Sequence, residues 1–221
     1  MPPLIGVVDY GRGNLRSVAK ALEAVGAQVR VSGKASRLAG AAGLLVPGVG
    51  AFGDAVGALK SRGLAPLIRR FHAEGRPLLG VCLGLQLFCR SSDEFGLHAG
   101  FGFFDAKVRR FGRGLKVPHM GWNQVAFEPG CPLFRGVRQG THFYFLHSYR
   151  ARLKAGAPGR AAQTRYGRET FDSGLCLGDL YAVQFHPEKS QSEGLKLYRN
   201  FWGIVRARHA GRGAVRLREA A

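Results

Sequence analysis

LLGVCLGLQLF, residues 78–88, joins an apolar run of strand length to one of helical character, with a single thiol, Cys82, at the join. Glycines stand two residues away on either side, Gly80 and Gly84, and an amide, Gln86, follows. A nucleophile held on a sharp strand-to-helix turn needs small neighbours at those positions, because the backbone there is strained and packs closely on adjacent elements. The amino end of a helix also favours the thiolate, the reactive form. In an open parallel α/β sheet, ligands bind at the carboxyl ends of strands, which is where Cys82 falls. Taken alone, the same letters also describe a structural cysteine in a glycine-rich strand.

The flanking sequence predicts the sheet that such a turn requires. LIGVVDY (4–10) reads as a strand, and NLRSVAKALEAVG (14–26) follows with Leu15, Val18, Ala19, Leu22 and Val25 at helical spacing. AQVRVS and GLLVPG read as further strands, with amphipathic stretches around DAVGALKSRG and APLIRRFHAEG before the strand that ends at Cys82. That alternation predicts an α/β fold, a mostly parallel central sheet with helices on both faces. After residue 100 come short, turn-punctuated runs: FDAKVRRF, NQVAFE, THFYFLHSY, RAAQTRY, TFDSGLCLG and DLYAVQF. They are expected as antiparallel strands added at an edge of the same sheet. SQSEGLKLYRNFWGIVRARH closes the domain as a helix, with Ser190 and Glu193 spaced as a capping box. The domain is expected to span 1–205, leaving an arginine-rich tail, 206–221, that frays.

With 221 residues, 46% of them apolar, the chain can bury a sizeable core. Its apolar runs fall short of the roughly 20 residues that span a bilayer, and no charged leader precedes the first, so a cytoplasmic protein is expected. Cys82, Cys89, Cys131 and Cys176 contain no C-x-x-C pair, so neither a zinc site nor a disulfide framework is expected, and no metal or cofactor is called for. The net charge is +19, with 25 Arg to 8 Lys. Basic residues concentrate in AKVRRFGRGLK (106–116) and in the last sixteen positions, but without the aromatic interleaving of a nucleic-acid platform. Neither nucleic acid nor membrane is expected as partner; a basic surface also suits an acidic partner or an anionic ligand.

A cysteine nucleophile needs a base, and the base an orienter. His186-Pro187-Glu188 follows the run LYAVQF, and in an extended segment residues two apart share a side, which places Glu188 beside the His186 imidazole. His119, His142 and His147 have no nearby carboxylate and are expected as hydrogen-bonded structural residues, while His72, His98 and His209 are expected in solvent. VPGVGAFG (46–53) offers consecutive backbone N–H groups in a glycine-rich bend, suited to an oxyanion.

The Gly80–Gln86 turn and the His186-Pro187-Glu188 segment together resemble the class I, or triad, glutamine amidotransferases, over nearly the whole chain to about residue 205. DYGRGNLRSV (9–18), PGVGAFGDA (47–55), PHMGWN (118–123), FYFLHSY (143–149) and HPEKS (186–190) are similar, within that family, to the glutaminase subunits of imidazole glycerol phosphate synthases. The resemblance implies a Cys82–His186–Glu188 triad that releases ammonia from glutamine. It implies an oxyanion site from the N–H groups of Leu83, Val49 and Gly50, and substrate contacts at Gly48, Gln86, Ser148 and Tyr149. It further implies a heterodimer with a (β/α)8-barrel cyclase subunit in histidine biosynthesis, with Asn14, Trp122, Asn123, Tyr144 and Lys189 at or near the joining face. Peptides beside glycine turn over at low steric cost, so the 47–50 segment is a place where such a partner could control the oxyanion site. Two other readings stay open: a glutaminase for another acceptor or a cysteine hydrolase of the related α/β group, and a basic binding protein that kept the fold without the activity.

Overall fold

The computed structural model describes residues 2–219, of which 212–219 are described by backbone alone. Its first half alternates strand and helix. β1 (Ile5–Val8), α1 (Leu15–Ala24), β2 (Val29–Ser32), a short α2 (Ala35–Leu38) and β3 (Gly43–Val46) come first. They lead to α3 (Phe52–Ser61), α4 (Leu64–Ala73), β4 (Leu78–Val81) and α5 (Leu83–Phe88). The second half is mainly strand: β5 (Cys89–Ser92), β6 (His98–Ala99), β7 (Phe104–Arg110), β8 (His119–Gln124), β9 (Ala126–Phe127), β10 (His142–His147) and β11 (Tyr149–Leu153). Then follow β12 (Arg160–Tyr166), β13 (Glu169–Leu177), β14 (Leu180–Val183) and the closing helix α6 (Gln191–Glu219).

The main sheet has the order β2-β1-β3-β4-β14-β13-β12-β9. Its first five strands are parallel, and β13, β12 and β9 extend the edge antiparallel. Side chains alternate between the two faces with period two. Val8, Leu44, Val46 and Leu78 pack with the buried faces of α3 and α4, while Ile5, Val7, Leu45, Leu79 and Val81 pack with α1 and α6. Each fully buried Leu, Val or Phe contributes about 1.5–3 kcal/mol by leaving water, so two layers of such contacts hold the sheet as the frame of the molecule.

Three expectations need correction. The run DLYAVQF is not an antiparallel edge strand: β14 pairs parallel with β4, inside the sheet. All four of its residues, LYAV, are buried, and a strand apolar on both faces needs neighbours on both sides. Likewise β7, β8, β10 and β11 leave the main sheet for a two-stranded ribbon, β10-β8, and a four-stranded sheet, β11-β7-β5-β6. Their alternation of buried and exposed residues suits strands with one wet face. Thirdly, Ser190 and Glu193 make no capping box. The Ser190 hydroxyl donates to the His186 carbonyl at 2.7 Å and accepts the Tyr144 N–H at 3.0 Å, while Glu193 pairs with Lys196 at 2.9 Å. The helix α6 carries on through the arginine-rich segment to Glu219, and residues 220–221 of the expected tail lie outside the described residues.

The glycines flanking Cys82 are set by contact rather than by flexibility. A Cβ on Gly80 would stand 2.7 Å from the Gly84 carbonyl group, and one on Gly84 would overlap the Val46 carbonyl oxygen. Gly84→Ala is therefore expected to cost about 3 kcal/mol in urea unfolding. Gly57→Ala in α3, where a Cβ meets open space, is expected to stabilise by about 0.5–1 kcal/mol, and equal effects of the two would refute the packing argument.

Candidate active site

Cys82 links β4 to α5 with φ 55° and ψ −105°. A non-glycine residue there stores about 1–3 kcal/mol of strain, which the surroundings must hold. They do so through the Cys82 N–H, which donates to the Val183 carbonyl at 2.8 Å, and through the Leu85 N–H, which returns to the Cys82 carbonyl at 3.1 Å. The first of these bonds extends the parallel β4–β14 ladder by one step. The chain beyond β14, Gln184-Phe185-His186, therefore runs out beside the cysteine turn.

At His186, Nδ1 lies 2.9 Å from Glu188 Oε1, and the Tyr198 hydroxyl of α6 donates to Glu188 Oε2 at 3.1 Å. The His186 N–H donates to the Tyr144 carbonyl at 2.9 Å, and the Ser190 hydroxyl bridges the His186 carbonyl to the Tyr144 N–H, so the turn is fastened to β10 from both directions. His186 Nε2 is a buried atom with no hydrogen-bond partner among the described residues. Burial opposes the imidazolium, yet the Cys82 sulfur and the Glu188 carboxylate outweigh it and lift the His186 pKa to about 10. The imidazole is thus a ready proton carrier whose free nitrogen belongs to the cysteine's surroundings.

A cleft of about 330 Å³ opens at this point, lined by Val49, Gly50, Cys82, Gln86, Glu94 and Tyr149 among others. Gln86 is buried, and its Nε2 donates to the Tyr149 carbonyl at 2.9 Å and to Gln184 Oε1 at 3.1 Å. Gln184 in turn donates to Cys82 Sγ at 3.8 Å. The Ser148 and Tyr149 carbonyls are both engaged, accepting from Phe111 N–H and from Gln86 and His147. In the glycine segment, the Gly48 carbonyl accepts the Leu83 N–H at 3.4 Å, so that N–H is occupied rather than open to the cleft. Gly50 has φ 97°, and a Cβ on Gly48 would overlap the Tyr10 hydroxyl and stand 2.9 Å from Leu83 Cβ. Glycine is required at both positions.

Of the residues expected at a joining face, Trp122 and Tyr144 stand opposite each other on the β8–β10 ribbon, with ring centroids 6.2 Å apart, and Lys189 Nζ lies 5.4 Å from the Tyr144 ring. Asn14 precedes α1, which packs on the 187–189 turn. Asn123 does not join them: strand alternation turns it to the other side, where it bonds His119 and the Arg165 carbonyl. Sequence reasoning passed over Gln184, Tyr198 and Glu94. A glutamine inside the apolar run LYAVQF, two residues before His186, was a usable signal; Tyr198 and Glu94 carried none. Cys89 is buried, Cys131 and Cys176 half-buried. His72 and His98, expected in solvent, are half-buried against Phe103 and Phe52.

Behind the cleft, His119 and His147 form a buried relay. His147 Nδ1 meets the Tyr149 carbonyl at 2.8 Å, His119 Nδ1 meets His147 Nε2 at 3.0 Å, and Asn123 Nδ2 meets His119 Nε2 at 3.1 Å. A carbonyl only accepts and an amide nitrogen only donates, so the relay closes when both rings are neutral with the proton on Nδ1. Burial lowers the His119 pKa to about 4; burial, with His119 next to it, lowers that of His147 to about 3. The unfolded chain binds these protons near pH 6.5 and the folded one resists them, so stability falls as pH drops from about 6.5 toward 4. Between pH 6.5 and 5 the loss from His147 is expected at about 2 kcal/mol in urea unfolding, and His147→Gln should remove that share. An unchanged pH slope in the variant would refute the neutral relay.

Known proteins resemble this chain over most of its length. A family model described as glutamine amidotransferase class-I matches residues 6–204. The chain is 47% identical over 207 residues to an imidazole glycerol phosphate synthase subunit HisH of Moorella thermoacetica, covering 94% of this chain and 97% of that one. It is likewise 47% identical over 196 residues to the subunit of that name in Aquifex aeolicus, covering 88% and 94%. A solved structure of PurLQS from Thermotoga maritima shares the fold, with a TM-score of 0.73 at 19% identity over 93% of this chain and 100% of that one. The chain therefore belongs to the class-I glutamine amidotransferases and, within them, to the HisH subunits of imidazole glycerol phosphate synthase.

Proposed function

We propose that the chain hydrolyses glutamine through Cys82, His186 and Glu188 and passes the ammonia to a separate (β/α)8-barrel cyclase subunit, where imidazole glycerol phosphate is formed in histidine biosynthesis. The observation that carries this reading is the buried, unpartnered His186 Nε2 beside Cys82, with Glu188 on the opposite nitrogen. A purely structural histidine at that depth would be satisfied at both nitrogens, as His119 and His147 are.

In this mechanism the Cys82 thiolate adds to the side-chain amide carbon of glutamine and the carbonyl electron pair moves onto oxygen. His186, protonated at Nε2 and oriented by Glu188, gives that proton to the departing ammonia as the C–N bond breaks, leaving a γ-glutamyl thioester. Neutral His186 then takes a proton from water while the water oxygen attacks the thioester; the C–S bond breaks, the thiolate returns and glutamate leaves. Glu94, the one carboxylate among the described lining residues, suits the α-ammonium of glutamine, and burial raises its pKa while the Phe52 N–H, at 2.7 Å, favours its ionised form. Gln86, tied to Tyr149 and Gln184, shapes the wall against which the substrate lies.

With the Gly48 carbonyl on it, the Leu83 N–H is not free to serve the oxyanion. The bond is long, hence weak, and rotating the peptide between Gly48 and Val49 would free the Leu83 N–H and turn that of Val49 inward. Such a site is slow until a partner favours the rotated form. The ribbon face beside Val49 suits that docking: Met120 is 64% exposed and Trp122 47%, an apolar surface next to Tyr144 and Lys189. Free thiols are compatible with a cytoplasmic setting, and no helix among the described residues is long and apolar enough to cross a membrane.

Glutamine hydrolysis is expected to be slow alone and to rise about 100-fold with a barrel cyclase subunit carrying its nucleotide. Fast, unresponsive turnover by the lone chain would overturn the assignment of partner. Cys82→Ala should reduce turnover to background, and an electrophilic glutamine analogue should label Cys82 alone among the four cysteines. Glu94→Gln should raise KM for glutamine about ten-fold with little change in kcat, since a charged hydrogen bond is lost equally from ground and transition states. A fall in kcat at constant KM would place Glu94 elsewhere in the reaction.

A further inference from the structure

The four-stranded sheet carries an arrangement that folding alone does not favour. In the antiparallel pairing of β7 and β11, Arg109 stands opposite Arg150 and Lys107 opposite Arg152. Directly opposed residues share a face of the sheet, about 5 Å apart, and like charges so placed repel. Arg90 of β5 and Lys154, just past β11, border the same groove, of about 490 Å³. Two of these six cations are balanced: Arg90 pairs with Asp105 at 3.0 Å, and Arg150 with Glu169. Lys107, Arg109, Arg152 and Lys154 have no ion-pair partner among the described residues, although the sheet spaces them within reach of one another. Lys107 and Arg109 bring part of the first basic concentration of the sequence, 106–116, into the groove, and the glutaminase reaction leaves them unused.

We propose that this groove binds a compact small molecule bearing two or more linked phosphate groups. The repelling pairs converge on one open groove of small-molecule size, and a multivalent anion seated there would convert cross-strand repulsion into bridging contacts. No aromatic side chain is among the groove's lining residues, so single-stranded nucleic acid would find cations there but nothing on which to stack bases. The site lies on the strand that begins at Tyr149, whose carbonyl holds Gln86 in the glutamine cleft.

The test is calorimetric titration of the full chain with inorganic tripolyphosphate and, separately, ATP at about 0.15 M salt. Saturable binding at one site is expected for both, weakened about ten-fold or more by Arg152→Glu and by the milder Lys107→Gln/Arg152→Gln pair. Lys34→Glu, in the separate basic hollow beside β2, should leave affinity unchanged. Without anion, Arg152→Glu should raise the unfolding midpoint, because it sets a carboxylate opposite Lys107, while removing the stabilisation that tripolyphosphate gives the parent chain. Absence of saturable binding, or equal affinity in the groove variants, overturns the proposal. So does a single-stranded RNA oligomer that binds through these residues and resists competition by tripolyphosphate.

Discussion

The parallel pairing of β4 with β14 is the constraint on which the site depends. Leu78–Val81 runs beside Leu180–Val183 in register, and the Cys82 N–H extends the ladder to Val183. Because parallel strands end at the same edge of a sheet, this pairing alone brings a thiol and an imidazole from distant parts of the chain to one point. It also explains the strain at Cys82. A strand that ended freely would relax the turn, whereas one locked to its neighbour holds φ at 55°, and the bare backbones of Gly80 and Gly84 leave room for α5 to fold back onto β3.

Around that point the polar groups divide into two kinds. His119, His147 and Asn123 form a chain in which every donor has an acceptor, so they stay neutral and rigid. Glu188 is likewise satisfied by His186 and Tyr198, but His186 Nε2 is left over. Among the described residues it is the one buried side-chain nitrogen or oxygen without a hydrogen-bond partner, and the cysteine beside it gives a chemical reason for that. The Ser190 hydroxyl, donating to the His186 carbonyl and accepting the Tyr144 N–H, ties the His186 turn to the ribbon that also carries the exposed Trp122.

The net charge of +19 is unevenly used. Arg208 of α6 pairs with Asp179 between β13 and β14, Arg160 with Asp172 across the β12–β13 hairpin, and Arg76 lies 3.5 Å from the Phe71 ring. The β7–β11 face differs in that its cations oppose one another in register, and the cost of that placement points outward, to a ligand, rather than inward, to the fold.

The sequence by itself determined the elements and the chemistry they carry. Short continuous apolar runs announced β1, β3 and β4, helical spacing announced α1, and the cysteine turn and the His-Pro-Glu segment announced thiol chemistry, because each depends on neighbours within a few residues. It misassigned β14 and the ribbon strands, since the partner that a strand takes is decided by which faces are buried, a property of the assembled sheet. It could not place Tyr198 on Glu188, Gln184 beside Cys82, or Asn123 on the inner side of β8. Nor could it find the Gly48 carbonyl on the Leu83 N–H. Those contacts join segments far apart in the chain, and only the tertiary structure, by closing the sheet around β4 and β14, decides which of them meet.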